Sequence, residues 1–111
     1  MDTILSALAD PNRRAIVGLL REGERPVGFL VEQLPIAQSG VSRHLRILRD
    51  AGVVASRTEG QRRVYSLCPE PFQELSDWLA DVRQLWEERL DNLEAELHRR
   101  QRTSPVESSD E

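Results

Sequence analysis

Gln38, Ser39, Ser42, Arg43 and Arg46 crowd into one short segment of a 111-residue chain. Arg can donate two parallel hydrogen bonds to guanine O6 and N7. Gln can pair bidentately with adenine, and Ser serves a base edge or a phosphate. The chemistry on offer is recognition by hydrogen bonding. No Ser/His/Asp arrangement, carboxylate pair or Gly-rich phosphate loop stands at a usable spacing in the chain, so an enzyme is not expected.

These residues need an element that presents them together. The stretch LPIAQSGVSRHLRILRDAG reads as a helix over residues 38–51, stopped by Gly52. With Val41 at zero on a wheel of about 100° per residue, Leu45 and Leu48 fall within roughly 40° of it, and His44 lies about 60° to one side. That stripe faces a core and favours a structural role for His44. Ser39, Ser42, Arg43, Arg46 and Asp50 lie on the far side, Gln38 at the N-terminal edge and Arg49 near about 80°. The helix starts weakly, because Ala37 stands where a capping Ser or Asp would add about 1 kcal/mol and Gly40 lies in the first turn. Ala37, Ser39 and Gly40 are small enough to let the backbone approach a nucleic acid. Alternatively Ser39 caps a helix that starts slightly later, and is then less free to read bases.

The neighbouring segments show how this helix is held. Ile4, Leu5, Leu8 and Ala9 suggest a short amphipathic helix. Asp10 and Pro11 make an N-cap and first turn for a second helix, with Ile16, Leu19 and Leu20 at i, i+3, i+4. A third helix spans about 27–34 and ends at Pro35. After residue 52 the period changes. VVASRT and RRVYSL are β-rich runs joined through Gly60, a hairpin over 53–67. From Phe72 to about Arg100 a long helical pattern returns, and 101–111 reads as a disordered acidic tail. The fold class expected is mainly α with a small β-hairpin (α+β), in the order helix, helix, helix, helix, strand, strand, helix. One domain is expected over 1–100, with dimerisation helices at both ends.

That order is the layout of a winged helix-turn-helix, whose second helix of the turn enters the DNA major groove. In it Arg57, Arg62 and Arg63 flank the wing tip, where they can reach phosphates or the minor groove. Arg13 and Arg14 either touch phosphate or pair with Glu22, Glu24 or Glu32.

Charge supports this division. The net charge is −4, which taken alone argues against a nucleic-acid partner. Residues 1–68 carry ten Arg against seven acids, and residues 69–111 five Arg against twelve. The positive charge therefore belongs to the helix-and-hairpin half and the acidity to the long helix. Cys68 is the only cysteine, so no intramolecular disulfide and no CxxC zinc site can form. No apolar run approaches the roughly 20 residues of a membrane span, and MDTILSALADP lacks the pattern of a signal peptide. A cytoplasmic protein is expected.

ALADPNRRAIVGLL, QSGVSRHLRILRDAGVV and EGQRRVYSL together resemble the ArsR/SmtB family of bacterial winged-helix repressors, over about residues 3–97. The resemblance implies a homodimer that binds a DNA operator and leaves it when a signal arrives. PEPFQELSDWL followed by LWEERLDNLEAEL resembles a subgroup without metal sites. Metal-sensing members carry Cys-x-Cys before the recognition helix, where this chain reads FLVEQLP. Others carry Asp, His and Glu ligands on the last helix, where this chain has one histidine, His98, and Asp91-Asn92-Leu93 lacks the partner histidine. No metal and no cofactor are expected, and the effector is unknown.

The long helix has Leu75, Leu79, Val82, Trp86, Leu90, Leu93 and Leu97 on one stripe. That spacing suits a partner helix. Val82, Trp86, Leu90, Leu93 and Leu97, with Leu5 and Leu8 of the first helix, form the expected dimer interface; Leu75 and Leu79 could instead close the intrachain core. The function expected is sequence-specific DNA binding by a metal-independent homodimeric repressor, with helix 38–51 and wing 53–67 as the contact. The competing reading is a winged-helix module for protein–protein contact without specific DNA binding.

Overall fold

In the computed structural model the backbone is described for residues 1–109 and the side chains for 1–101. The elements are α1 (Asp2–Ala7), α2 (Pro11–Leu20), β1 (Arg25–Pro26), α3 (Val27–Gln33), α4 (Gln38–Asp50), β2 (Val54–Glu59), β3 (Arg62–Leu67) and α5 (Pro69–Ser109). The chain divides into one unit over Met1–Leu75 and a second from Ser76 onward. In place of the disordered acidic tail expected over 101–111, the backbone of α5 is helical to Ser109, and residues 110–111 lie outside the described residues.

The first unit is mainly α with a three-stranded antiparallel sheet, β1-β3-β2. With the α3–turn–α4 pair it has the layout of a winged helix-turn-helix. The hairpin runs from Val54↔Leu67 to Glu59↔Arg62, and its first loop residue, Gly60, has φ +62. A positive φ at the first central residue alone is the pattern of a type II′ turn, which glycine adopts without steric cost. Sequence reasoning missed β1. It is two residues long, and Pro26 lacks a ladder N–H, which confines it to an edge. Its pairing of Arg25↔Tyr65 and Pro26↔Val64 ties the entry of α3 to the wing.

Helix α4 is placed by packing. Its inner face, Val41, His44, Leu45 and Leu48, is buried, and Val41, Leu45 and Leu48 join Ile16, Leu20, Leu30, Val53 and Tyr65 in one cluster. Its start is as weak as expected. Ala37 is the N-cap, with extended backbone and no side-chain cap bond, while the N–H groups of Gly40 and Val41 reach the Ala37 carbonyl at 2.9 and 3.1 Å. Ser39 therefore lies inside the helix and does not cap it. Gly40 has a different role from the one expected. A Cβ there would sit 3.5 Å from Cδ1 of Ile36, so this position faces the turn between α3 and α4 and gives no clearance on the outer surface.

A polar knot anchors α4 from beneath. Asp10 caps α2, its carboxylate accepting from Asn12 N–H at 2.7 Å and Arg13 N–H at 3.2 Å. Burial pushes this carboxyl up, but the bonds from Arg13 and Asn12, with His44 and Arg13 alongside, outweigh that and hold it below its ordinary value. A lowered folded pKa means the contribution is present above the unfolded value and lost only as pH falls through the folded one, so the cap persists at neutral pH. The Arg13 guanidinium reaches His44 Nδ1 at 3.3 Å. His44 Nε2 lies 4.0 Å from Asp10 Oδ1, so the ring bridges the two residues that open α2.

The second unit is helical. Its side chains Trp78, Leu79, Leu85, Trp86, Leu90, Leu93 and Leu97 are exposed, and Val82 is half-buried. In the first unit Phe72 and Leu75 pack against the core, as one of the two sequence alternatives held for Leu75. Leu8 also packs there, whereas Leu5 is exposed. Helix α5 begins at Pro69, before the expected Phe72, because proline is tolerated in a first helical turn.

Candidate nucleic-acid interface

Gln38, Ser39, Ser42, Arg43 and Arg46 are all exposed on α4, opposite a face buried to within a few per cent. They form two columns. Gln38, Ser42, Arg46 and Arg49 recur at i, i+4, i+8 and i+11, within an arc of about 80°, whereas Ser39 and Arg43 lie on the adjoining arc. The first column turns toward the wing. Together with Val27 of α3 and Arg63 and Tyr65 of β3 it lines a cleft of about 320 Å³. The second column, carrying Arg43, points away from the domain.

The wing arginines are not equivalent. Arg57 is bound by Glu24 and, at 2.6 Å, by Glu59. The hydrogen bond to Glu24, then that to Glu59, raises its pKa further, keeping it protonated and already paired. Arg62 stands 3.8 Å from the other oxygen of Glu59. Arg63 has no ion pair among the described residues and faces the cleft. The three wing residues expected from sequence thus present one unpaired guanidinium.

Among the described residues Arg13 and Arg14 do not pair with Glu22, Glu24 or Glu32. Arg13 donates to the Ala7 carbonyl at 2.6 Å and Ser6 at 3.4 Å; Arg14 donates to Leu8 and Ala9 at 2.9 and 3.0 Å. They close the C-terminal end of α1, whose carbonyls would otherwise lack partners. Sequence reasoning left Arg49 and Tyr65 out of the site. The repeat from Gln38 through Ser42 and Arg46 to Arg49 was the available signal for the first. Nothing local marked the second, which reads as a core aromatic.

Among the described residues no group of three or more His, Cys, Asp or Glu side chains could hold a metal ion. Cys68 is half-buried and free, with its N–H on the Val53 carbonyl at 2.9 Å. No helix among the described residues is long and apolar enough to cross a membrane.

Residues 10–56 match the family described as "Bacterial regulatory protein, arsR family". The chain is 34% identical over 79 residues to the transcriptional repressor SdpR of Bacillus subtilis, covering 71% of this chain and 88% of that protein. It is 47% identical over 68 residues to the HTH-type transcriptional regulator Rv2034 of Mycobacterium tuberculosis, covering 61% of this chain and 64% of that one. A crystal structure of an ArsR family transcriptional regulator superposes with a TM-score of 0.71 at 35% identity, over 78% of this chain and 94% of the other. The chain belongs to the ArsR family of bacterial regulatory proteins, which are regulators and not enzymes.

Proposed function

We propose that this chain is a cytoplasmic, metal-independent transcriptional repressor that works as a homodimer. Each α4 enters the major groove of one half of a pseudo-palindromic operator, and the wing follows the flanking backbone. The observation that carries this reading is α4 itself. Its outer face of hydroxyls and guanidiniums stands exposed on an inner face that is fully packed, so the reading groups sit on a rigid element. The sign of regulation is taken from SdpR, a transcriptional repressor.

A gel-shift titration of the DNA upstream of its own gene, at two salt concentrations, tests the reading. Specific retention with a steep loss of affinity as salt rises is expected, because phosphate neutralisation releases counterions. A protein that fails to retain DNA at either salt contradicts it and leaves a protein-contact module as the explanation of the fold.

Two substitutions divide the interface. Arg43→Ala is expected to lose about 1–3 kcal/mol of discrimination between operator and scrambled DNA, read from paired titrations. Glu59→Gln removes the carboxylate shared by Arg57 and Arg62. It should tighten binding to any duplex by about two- to fivefold and steepen the salt dependence, with no change in specificity.

A further inference from the structure

We propose that the cleft between α4 and β3 is a clamp for one DNA backbone phosphate, with Arg49, Arg63 and the Tyr65 hydroxyl as its ligands. The proposal rests on the DNA-binding reading above and assigns two residues, Arg49 and Tyr65, that the recognition chemistry did not require.

Three observations converge. The first is charge. Arg46, Arg49 and Arg63 line the cleft beside Gln38 and Ser42, with no carboxylate in the lining. The second is availability. Arg57, Arg62 and Arg13 are committed to carboxylates or carbonyls, yet among the described residues Arg46, Arg49 and Arg63 make no hydrogen bond or ion pair. Three mutually repelling cations that converge without an anion are a site for one. The third is Tyr65. Its side chain is packed to 6% exposure in the core, and among the described residues its hydroxyl has no partner. That hydroxyl is not sealed, because among the described residues the one buried side-chain polar atom without a partner is Arg25 Nε. The open side of Tyr65 is the cleft it lines, where the phenol can donate to an anion's oxygen.

A phosphodiester satisfies all three. It brings one negative charge, oxygens for several donors and no sequence information. Two elements grip it, one from the reading helix and one from the wing strand. A single phosphate then fixes the angle between α4 and the hairpin on the duplex, while Arg43 on the other column remains free to read a base edge. The clamp therefore sets affinity and register, and Arg43 sets sequence.

Tyr65→Phe keeps the ring in the core and removes only the donor; Arg49→Ala changes an exposed side chain, so both should melt as the parent does. Tyr65→Phe is expected to weaken operator and scrambled DNA alike by about tenfold, and Arg49→Ala to lower the salt slope by about one. Replacing operator phosphates one at a time by neutral methylphosphonate should reveal one position per half-site that weakens the parent and leaves both variants unaffected. Parent-like affinity and salt slope in both variants, in a protein that still binds its operator, overturn the clamp and leave the DNA reading standing. A parent that does not bind DNA overturns both. Inorganic phosphate that raises the melting temperature of the parent, and not of Arg49→Ala, with no methylphosphonate effect, assigns the cleft to a free anion and overturns the clamp.

Discussion

Leu90→Asp with Leu93→Asp is expected to yield a folded monomer that binds operator DNA about 10²- to 10⁴-fold more weakly than the parent. The reason begins with exposure. Seven of the nine large apolar side chains exposed among the described residues belong to α5, Trp86, Leu90 and Leu93 each by more than half. A monomeric protein rarely leaves so much contiguous apolar surface to water. The stripe repeats at coiled-coil spacing, which suits a second copy of the same helix. Joining two half-site readers makes the second contact intramolecular, and that gain in effective concentration is worth the stated factor. The substitutions lie outside the Met1–Leu75 unit, so the core around Leu45 should still melt cooperatively. Sedimentation and a gel shift on the same preparation check the result. A double variant that stays dimeric, or a monomer with parent affinity, rules out this interface.

Leu45→Ala should have the largest effect on folding, a loss of about 2–5 kcal/mol read from chemical denaturation. Leu45 is 1% exposed, on the helix that carries the reading groups. Helix α4 has no side-chain cap and a glycine in its first turn, so little of its stability is local. Burial of Val41, Leu45 and Leu48 must hold it, each contributing on the order of 1.5–3 kcal/mol. Against a total stability of about 5–15 kcal/mol, this one truncation threatens the domain, and operator binding should fall with the folded fraction. A loss below about 1 kcal/mol would mean that α4 is held by something other than its inner face.

The two faces of α4 were legible because a period of 3.6 residues separates Val41, Leu45 and Leu48 from Ser39 and Arg43 without reference to any other element. The hairpin was legible from its alternation and from Gly60 at its tip. What stayed hidden depends on partners far off in sequence or on the backbone. Arg57 reads as a free wing cation, yet its carboxylate partner Glu24 lies 33 residues away. Arg13 and Arg14 read as phosphate ligands or partners of Glu side chains, yet they bind carbonyls at the end of α1, and every residue carries a carbonyl. Arg49 sat at an indifferent angle on an isolated helix. It becomes a cleft wall only once β3 brings Arg63 and Tyr65 opposite. The strand β1 hid for the same reason, since two residues have no period and only their pairing with β3 makes them a strand.

Two copies of α4 are expected to read guanine edges in successive major grooves. Guanine N7 methylation interference on the retained duplex tests this most directly, because a methyl group there blocks the bidentate contact of an arginine. The expected result is two clusters of interference about 10–10.5 base pairs apart, centre to centre, both lost in Arg43→Ala. Retention indifferent to guanine methylation, with affinity tracking salt alone, would contradict it.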